Sequence, residues 1–508
     1  MTLRVRWLGR VHYRDAHALQ HGLSERSSDD HLLLLEHPHV YTLGVRAKRE
    51  HVLVDPASVG AELIETDRGG DVTYHGPGQL VGYPILSVPM GPGAVPNYVH
   101  AVEQLVIDAL DELGLPGAGR LADYPGVWVG DRKICAIGVR VTRGRSMHGF
   151  ALNVDPDMRF FEHIVPCGIR DKAVTSMAAE GVDAPMEKVA DVVARLAAER
   201  WGAGGVDRQD VAWERTLPSP DALPLITRKP GWVRVKAEMG PEFRELKHTM
   251  RSLELVTVCE EAGCPNIFEC WRDGTATFMI NGERCTRACG FCLVDTSQPL
   301  PIDAEEPDRV ARAVEQMGLS HAVVTAVARD DVPDGGAGAF AATIDAIRRR
   351  CPDTAVEVLI PDCKGDPDAL AEVFAARPDV LNHNLETVAR LQRMVRPSAS
   401  YARSLAVLAR AKAAGLTTKS GVMVGLGETE HEVVAALADL RAVGVDIVTI
   451  GQYLRPSADH LPVDRWWTPE EFERIRVAGE AMGFAHVQSS PLTRSSYHAR
   501  QSAASVHA

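Results

Sequence analysis

This 508-residue chain has few cysteines, no excess of basic charge and no long apolar run. Ten cysteines do not make a disulfide framework in a chain of this length. With 55 Lys and Arg against 68 Asp and Glu, the formal net charge is -13, which argues against a bulk nucleic-acid surface. No stretch approaches the roughly 18 consecutive apolar residues of a membrane span. The opening MTLRVRWLGRVHYRDAHALQHG has no apolar core and no small-residue cleavage site, so no secretory signal is expected. The expectation is a cytoplasmic protein with reduced thiols, no membrane and no nucleic acid. Hydrophobic residues are 45% and charged residues 24%, enough for more than one core.

The pattern changes once. Met186 to Trp201 reads as a helix, with Val189, Val192, Val193 and Leu196 on one face. GAGG follows, then Pro218, Pro220, Pro224 and Pro230. We therefore expect a first domain over 1–202, a linker over 203–230 and a second domain over 231–508. The first domain is mixed. HLLLLEHPHVYTLG reads as a buried strand and a turn, and GVWVGDRKICAIGVRV as two strands about a Gly-Asp turn. Val102, Leu105, Val106, Ala109 and Leu113 mark an amphipathic helix stopped by Gly114. The second domain alternates apolar runs (ATFMI, HAVVTAV, AVEVLI, VLNHN, TTKSGVMVG, IVTIGQYL) with helical stretches such as Glu430 to Ala442. Such strand–helix units predict a parallel sheet with ligands at the strands' C-terminal ends.

Six of the ten cysteines fall between positions 258 and 292. They form two triplets, Cys259, Cys264 and Cys270 in C-x4-C-x5-C, then Cys285, Cys289 and Cys292 in C-x3-C-x2-C. Thiolates suit zinc or iron–sulfur clusters. Zinc requires a fourth protein ligand and usually shows C-x2-C pairs. Three thiols instead leave one iron of a four-iron cluster open. C-x3-C-x2-C after the first strand of a βα array, with Phe291 before the last cysteine, resembles the radical S-adenosylmethionine superfamily. The upstream triplet resembles lipoyl synthase, as do VCEEAGCPNIFECW, ARDDVPDGGA, HNLETV, VGLGET, QYLRPS and RSSY, in order over roughly 230 to 500.

That resemblance implies two [4Fe-4S] clusters and S-adenosylmethionine. Cys285, Cys289 and Cys292 would hold the radical-generating cluster. Cys259, Cys264, Cys270 and Ser496 (Ser495 as second choice) would hold an auxiliary one that gives up sulfur. Ser490 stands where that family has glycine. Gly335 and Gly336 after strand two, and Asn384 and Glu386 after strand four, would contact S-adenosylmethionine or form ordinary loops, as would Gln452 and Arg455 after strand six. The expected segments are 231–275 around the auxiliary cluster, a partial barrel over 276–485, and a tail over 486–508. Cys351 and Cys363 read as structural.

In the first domain RGGDVTYHGPGQ has four glycines between Arg68 and Gln79, which lets backbone approach a ligand. With EHPHVYTLG, GVWVGDRKICAIGVRV, HGFALNV and IVPCGI, it resembles lipoyl(octanoyl)transferase over about 5 to 200. The resemblance implies a biotin/lipoate ligase-like α+β fold, followed in this α/β chain by a partial (β/α)6 radical-SAM barrel. It makes Cys167 the nucleophile and Lys133 the cation that activates it and later takes a proton. Substrate contacts map to Arg68, Gly69, Gly70, Asp71, Val72, Thr73, Tyr74 and His75, to Ala136, Ile137 and Gly138, and to Gly149, Phe150 and Ala151. His75 reads equally as a hydrogen-bonded turn residue. Cys135 shares a strand face with Lys133 and reads as packing, with a rival acyl acceptor as the alternative.

Together the resemblances imply a bifunctional lipoylation enzyme. An octanoyl group would pass from acyl carrier protein through Cys167 to a lipoyl-domain lysine, and two sulfurs would then enter at C6 and C8. The implied partners are octanoyl-acyl carrier protein, the lipoyl domains of 2-oxoacid dehydrogenase E2 subunits, the glycine cleavage H protein, and a ferredoxin- or flavodoxin-type electron donor. The rivals are an ATP-dependent lipoate ligase fused to a radical methylthiotransferase, and a non-catalytic zinc scaffold that docks lipoyl domains.

Overall fold

The computed structural model describes residues 1–122, 124–165, 172–225, 227–234, 256–257 and 275–507. The chain divides into two compact units, Met1–Trp213 and Glu214–Ala508. Among the described residues no helix is long and apolar enough to cross a membrane.

The first unit contains strands β1 (Leu3–Arg10), β2 (Asp30–Glu36), β3 (Val40–Leu43), β4 (Glu62–Glu65), β5 (Val72–His75), β6 (Gln79–Ile85), β7 (Gly119–Leu121), β8 (Tyr124–Val129), β9 (Arg132–Thr142), β10 (Arg145–Asn153), β11 (Ala173–Val174) and β12 (Val206–Asp210). The large sheet runs β12-β1-β2-β6-β10-β9-β8-β7, with β11 beside β9; β4-β3-β5 form a small second sheet. Helices α1 (Tyr13–Arg26), α2 (Ala94–Glu112) and α3 (Met186–Trp201) complete it. Both helices read from the 3.6-residue pattern are present, and α3 spans the expected residues. Their apolar stripes, Val102, Leu105 and Val106 on α2 with Val189, Val193 and Ala197 on α3, bury against Leu32, Leu34, Leu80, Phe150 and Leu152 of the large sheet. Gly114 ends the α2 turn at φ +96°, a conformation that glycine adopts without steric penalty.

The connector expected over 203–230 is in part sheet. β12 pairs in parallel with β1, and Arg6 closes that edge by pairing with Asp207 at 2.7 Å. DRQD is polar and short, so its strand character comes from this tertiary pairing and not from apolar alternation. Farther on, Leu223 donates to Val463 of the second unit at 2.7 Å.

The second unit is an eight-stranded sheet in sequential order: β13 (Val256–Thr257), β14 (Thr275–Ile280), β15 (His321–Ala326), β16 (Ala355–Leu359), β17 (Val380–Asn382), β18 (Thr418–Val424), β19 (Ile447–Gln452) and β20 (His486–Ser489). The six expected runs are β14 to β19. β13 adds an antiparallel edge and β20 a seventh parallel strand. Between them lie α4 (Glu306–Met317), α5 (Ala337–Arg350), α6 (Pro367–Ala375), α7 (Tyr401–Ala413), α8 (Glu430–Ala442) and α9 (Pro469–Ala481). α8 and α9 each begin in a capping box, Thr429 with Glu432 and Thr468 with Glu471, which satisfies two otherwise orphaned backbone donors. Sequential order winds the sheet one way as an open barrel, so all the loops at its C-terminal end converge.

Strand alternation sends Ala322, Val324, Val356 and Val358 to the helix-covered core. Glu357 lies between the last two and faces the other way. There Lys419 Nζ contacts its carboxylate at 2.9 and 3.2 Å, with His321 3.6 Å away. Burial would raise the Glu357 pKa, but the Lys419 charge and His321 overcome it and hold the carboxyl below its ordinary value. Lys419→Met strands that carboxylate, and we expect a loss of about 3–5 kcal/mol. Lys419→Met with Glu357→Leu should recover most of it; urea midpoints of the parent and the two variants check both statements.

Candidate functional sites in the two units

The first unit holds a cleft of about 470 Å³, part of it open to solvent. Its walls include Arg68, Gly69, Gly70, Asp71, Thr73 and His75, then Ala136, Ile137 and Gly138, then Gly149, Phe150 and Ala151. Three segments far apart in sequence thus meet around one space. Val72 and Tyr74, expected with them, do not line it. On β5 they alternate with Thr73 and His75 and pack into the core beneath the small sheet. Tyr13, Val81, Tyr83 and His148 complete the wall. His148 opens the HGFALNV run, and Val81 and Tyr83 lie just past the glycine-rich run; α1, β6 and β10 bring the four together.

The glycines make this wall thin. A Cβ on Gly149 would come within 2.2 Å of Gly82 O, and one on Gly138 within 3.0 Å of Gly69 O. Both are required by backbone packed against backbone. Arg68 is buried and donates through Nη2 to Thr42 O at 2.6 Å and through Nη1 to Gly69 O at 3.1 Å, so it shapes the loop that carries it. Asp71 similarly lies 2.7 Å from His51 Nδ1.

Behind His75 runs a polar chain. His75 Nδ1 is 2.8 Å from Gln79 Oε1, Gln79 Nε2 donates to Asn153 Oδ1 at 2.9 Å, and Asn153 Nδ2 donates to Thr175 O at 2.9 Å. Thr175 N in turn donates to Lys133 O at 2.9 Å. His75 is therefore both a hydrogen-bonded residue and part of the wall. Burial first, then the neighbouring His37 and Arg68, hold it neutral. Lys133 is buried, its Nζ 4.8 Å from the centre of the Trp128 ring. β11 pairs with β9 at Lys133, so the chain just after position 171 lies along the lysine's strand. Cys167 lies outside the described residues. Cys135 packs in the apolar core; burial keeps its thiol protonated despite Lys133 nearby. That favours packing over acyl acceptance, since the thiolate is the nucleophile.

In the second unit Cys285, Cys289 and Cys292 occupy the loop after β14. Cys285 Sγ accepts from the backbone of Arg287 and Ala328, both at 3.4 Å. Burial pushes the Cys289 thiol up to about 11; Arg396 opposes this, while Cys292, Glu386 and Cys285 add to it. Three soft donors that oppose one another's ionisation in a half-buried loop fit a cationic centre, which reverses that balance. Arg287, between the first two cysteines, fastens the loop. It donates to Asp330 twice at 2.7 Å and to Asp362 at 2.6 Å, reaching the ends of β15 and β16. His460 Nε2 lies 2.9 Å from Cys292 O. Sequence reasoning passed over both residues, although Arg287 sits inside the triplet and ARDD supplies its partner.

Glu386 is half-buried and stands at φ +69°, a strained conformation for a non-glycine residue. Backbone bonds to Gly421 and Met423 of β18 hold it there. Its carboxylate accepts from Asn384 Nδ2 at 3.0 Å, and Asn384 Oδ1 is buried with no hydrogen-bond partner among the described residues. Gly335 and Gly336 take φ +63° and +87° at the start of α5, where Cβ atoms would crowd Cys363 and Asn281. Gln452 is committed to backbone: its Nε2 donates to Val424 O, Tyr453 O and Arg465 O, and its Oε1 accepts from Trp467 N. Arg455 donates to Ala458 O at 2.5 Å. Cys363 packs in the core and Cys351 against it. Arg494 to Tyr497 form a turn in which Tyr497 N donates to Arg494 O and Ala499 N to Ser496 O, with Ser495 between. Ser490 has no positive φ, so its turn does not need glycine. Cys259, Cys264 and Cys270 lie outside the described residues.

Comparison with known proteins assigns each unit a class. The Lipoyl protein ligase A/B catalytic domain model matches residues 12–197. The Radical SAM superfamily model matches 279–440, and the model of the N-terminal domain of lipoyl synthase matches 217–264. A lipoyl synthase of Rubrobacter xylanophilus is 61% identical over 275 residues, 54% of this chain and 86% of its own. One of Mycobacterium avium is 58% identical over 274 residues, 54% of this chain and 89% of its own. A bipartite lipoate protein ligase of Thermoplasma acidophilum, solved with its E2 lipoyl domain, aligns with a TM-score of 0.36 at 19% identity, over 41% of this chain and 86% of that one. The chain belongs to the lipoyl synthase family through its second unit and carries a lipoate ligase/transferase catalytic domain in its first, as a fusion. Membership in this radical SAM family implies S-adenosylmethionine and iron–sulfur chemistry.

Two predictions follow from this geometry. Arg287→Ala leaves Asp362 buried without its strongest partner and frees the cysteine loop. We expect it to destabilise the second unit by about 3 kcal/mol and to lower iron retained per chain after reconstitution, read by denaturation and iron assay. His37 donates through Nδ1 to Val11 O at 2.7 Å and accepts at Nε2 from the cleft residue Tyr83 at 2.7 Å. Burial lowers its pKa to about 4. The unfolded chain then binds the extra proton first, so stability present above pH ~6.5 is lost as pH falls toward 4, by on the order of 3 kcal/mol. Guanidinium midpoints across that range should show a slope that flattens in His37→Gln.

Proposed function

We propose that the chain carries out two consecutive steps of protein lipoylation. In the first, the Cys167 thiolate attacks the thioester of octanoyl-acyl carrier protein and the carrier thiol leaves. The lysine of a lipoyl domain then attacks the acyl-Cys167 carbonyl, Lys133 takes the amine proton, and Cys167 departs as thiolate. The domains concerned are those of 2-oxoacid dehydrogenase E2 subunits and the glycine cleavage H protein. The cleft supports this reading: Val81, Ile137 and Phe150 offer an apolar wall for a saturated chain, and the loop Arg68–His75 covers it.

In the second step two sulfurs enter at C6 and C8 of the bound octanoyl chain. When bound, S-adenosylmethionine and the iron–sulfur centres supply a carbon radical able to take hydrogen from an unactivated C–H bond, and the sulfur that replaces it. We assign Cys285, Cys289 and Cys292 to one [4Fe-4S] cluster, and Cys259, Cys264, Cys270 and Ser496, with Ser495 as second choice, to the other. Glu386 and Asn384 carry acceptors suited to the ammonium and hydroxyl groups of S-adenosylmethionine, beside Gly335 and Gly336. A ferredoxin- or flavodoxin-type protein supplies electrons in the cytoplasm. Functionally the division is 1–202 for transfer and 231–508 for sulfur insertion, joined through 203–230.

The observation that carries this reading is the pairing in one chain of a ligase/transferase catalytic domain with a second unit 61% identical to a lipoyl synthase. Its test is anaerobic incubation with octanoyl-acyl carrier protein, apo lipoyl domain, S-adenosylmethionine and reductant, without ATP, followed by intact mass of the lipoyl domain. The expected product gains octanoyl and then exchanges two hydrogens for two sulfurs, and Cys167→Ala abolishes both gains. Octanoylation only from free octanoate and ATP would overturn the first step. Octanoyl gain with no sulfur would overturn the second.

A further inference from the structure

Four side chains gather around Asp67, and one of them, His148, also lines the first unit's cleft. Asp67 Oδ1 lies 2.7 Å from His148 Nε2 and 3.0 Å from His17 Nε2. Its Oδ2 lies 3.5 Å from His21 Nε2 and pairs with Arg140. The ligand atoms of His17, Asp67 and His148 all fall within 4.8 Å of one another. His17 and His21 are one turn apart on α1 and share a face, their ring centroids 4.6 Å apart. His148 comes from β10 at φ +58°, with a buried Nδ1 that has no hydrogen-bond partner among the described residues. A single carboxylate surrounded by three imidazoles has more nitrogen donors than its own hydrogen bonding requires.

The geometry points to a site for a zinc-class divalent cation (Zn²⁺, Co²⁺ or Ni²⁺), with His17, Asp67 and His148 as ligands and His21 as the fourth donor. Borderline imidazole nitrogens joined by one carboxylate oxygen suit these ions in four-coordinate geometry. An imidazole that ligates through Nε2 carries its proton on Nδ1, so a ring that now donates from Nε2 shifts that proton and releases none. Asp67 exchanges Arg140 for the ion. Arg140 is thus the built-in competitor; its side chain is 38% exposed and can turn to solvent. His17 and His21 sit on the partly exposed face of α1 and can draw in, while His148 is fixed in the sheet. The ion would tie α1 to the cleft wall beside Arg68.

The test uses the full chain with its iron–sulfur cofactors loaded anaerobically, so that the cluster cysteines are occupied, and titrates it with Co²⁺. One cobalt per chain is expected, with a visible ligand-field spectrum, no thiolate charge-transfer band, unchanged iron content and displacement by Zn²⁺. The double variant His17→Ala/His21→Ala should weaken cobalt binding at least about tenfold, whereas Arg140→Gln should tighten it. These residues are partly exposed, so the variants should keep the parent's circular dichroism. Absence of cobalt uptake, a thiolate-ligated spectrum, or an affinity indifferent to both variants would overturn the site.

Discussion

Both clefts depend on one constraint: a polar group taken out of water must find a partner in the protein, or a ligand must supply it. In the second unit Arg287 meets that demand for two aspartates at once. Because Asp330 and Asp362 lie in the loops after different strands, the same bonds that satisfy them hold the cysteine loop across the barrel mouth. The first unit solves the problem with neutral groups. His75, Gln79 and Asn153 pass a hydrogen bond from the cleft to the backbone beside Lys133, so the cleft wall and the lysine's strand are braced by one chain.

The residues left unsatisfied stand out against this background. Asn384 Oδ1 has no partner among the described residues and lies beside a strained, half-buried Glu386. Strain and an open acceptor together at a strand's C-terminal end are what a ligand-completed site requires. Gln452 shows the opposite case. It sits at an equivalent strand end, yet backbone uses up its amide, which makes it a clamp. Position at the right end of a strand therefore does not distinguish a ligand contact from a structural residue. The distinction lies in which polar atoms are already paired.

Periodicity and motif spacing carried much of this molecule in the sequence alone. The helices at Met186–Trp201 and Glu430–Ala442, the six parallel strands and the triplet Cys285, Cys289 and Cys292 are local patterns of apolar spacing, capping and soft ligands, legible without knowing what lies across the fold. The glycine-rich run from Arg68 was legible for the same reason as backbone able to pack closely, and most of it lines the cleft. Other features were decided only by tertiary structure. Val206–Asp210 becomes strand because β1 offers it an edge and Arg6 a charge. Val72 and Tyr74 leave the cleft because a strand must turn alternate residues to opposite faces. Tyr13, Tyr83 and His148 enter it, and His17, His21 and Asp67 gather, because packing joins α1, β6 and β10 across long stretches of chain. No local pattern encodes such meetings, since they arise from burying one apolar face of the whole sheet.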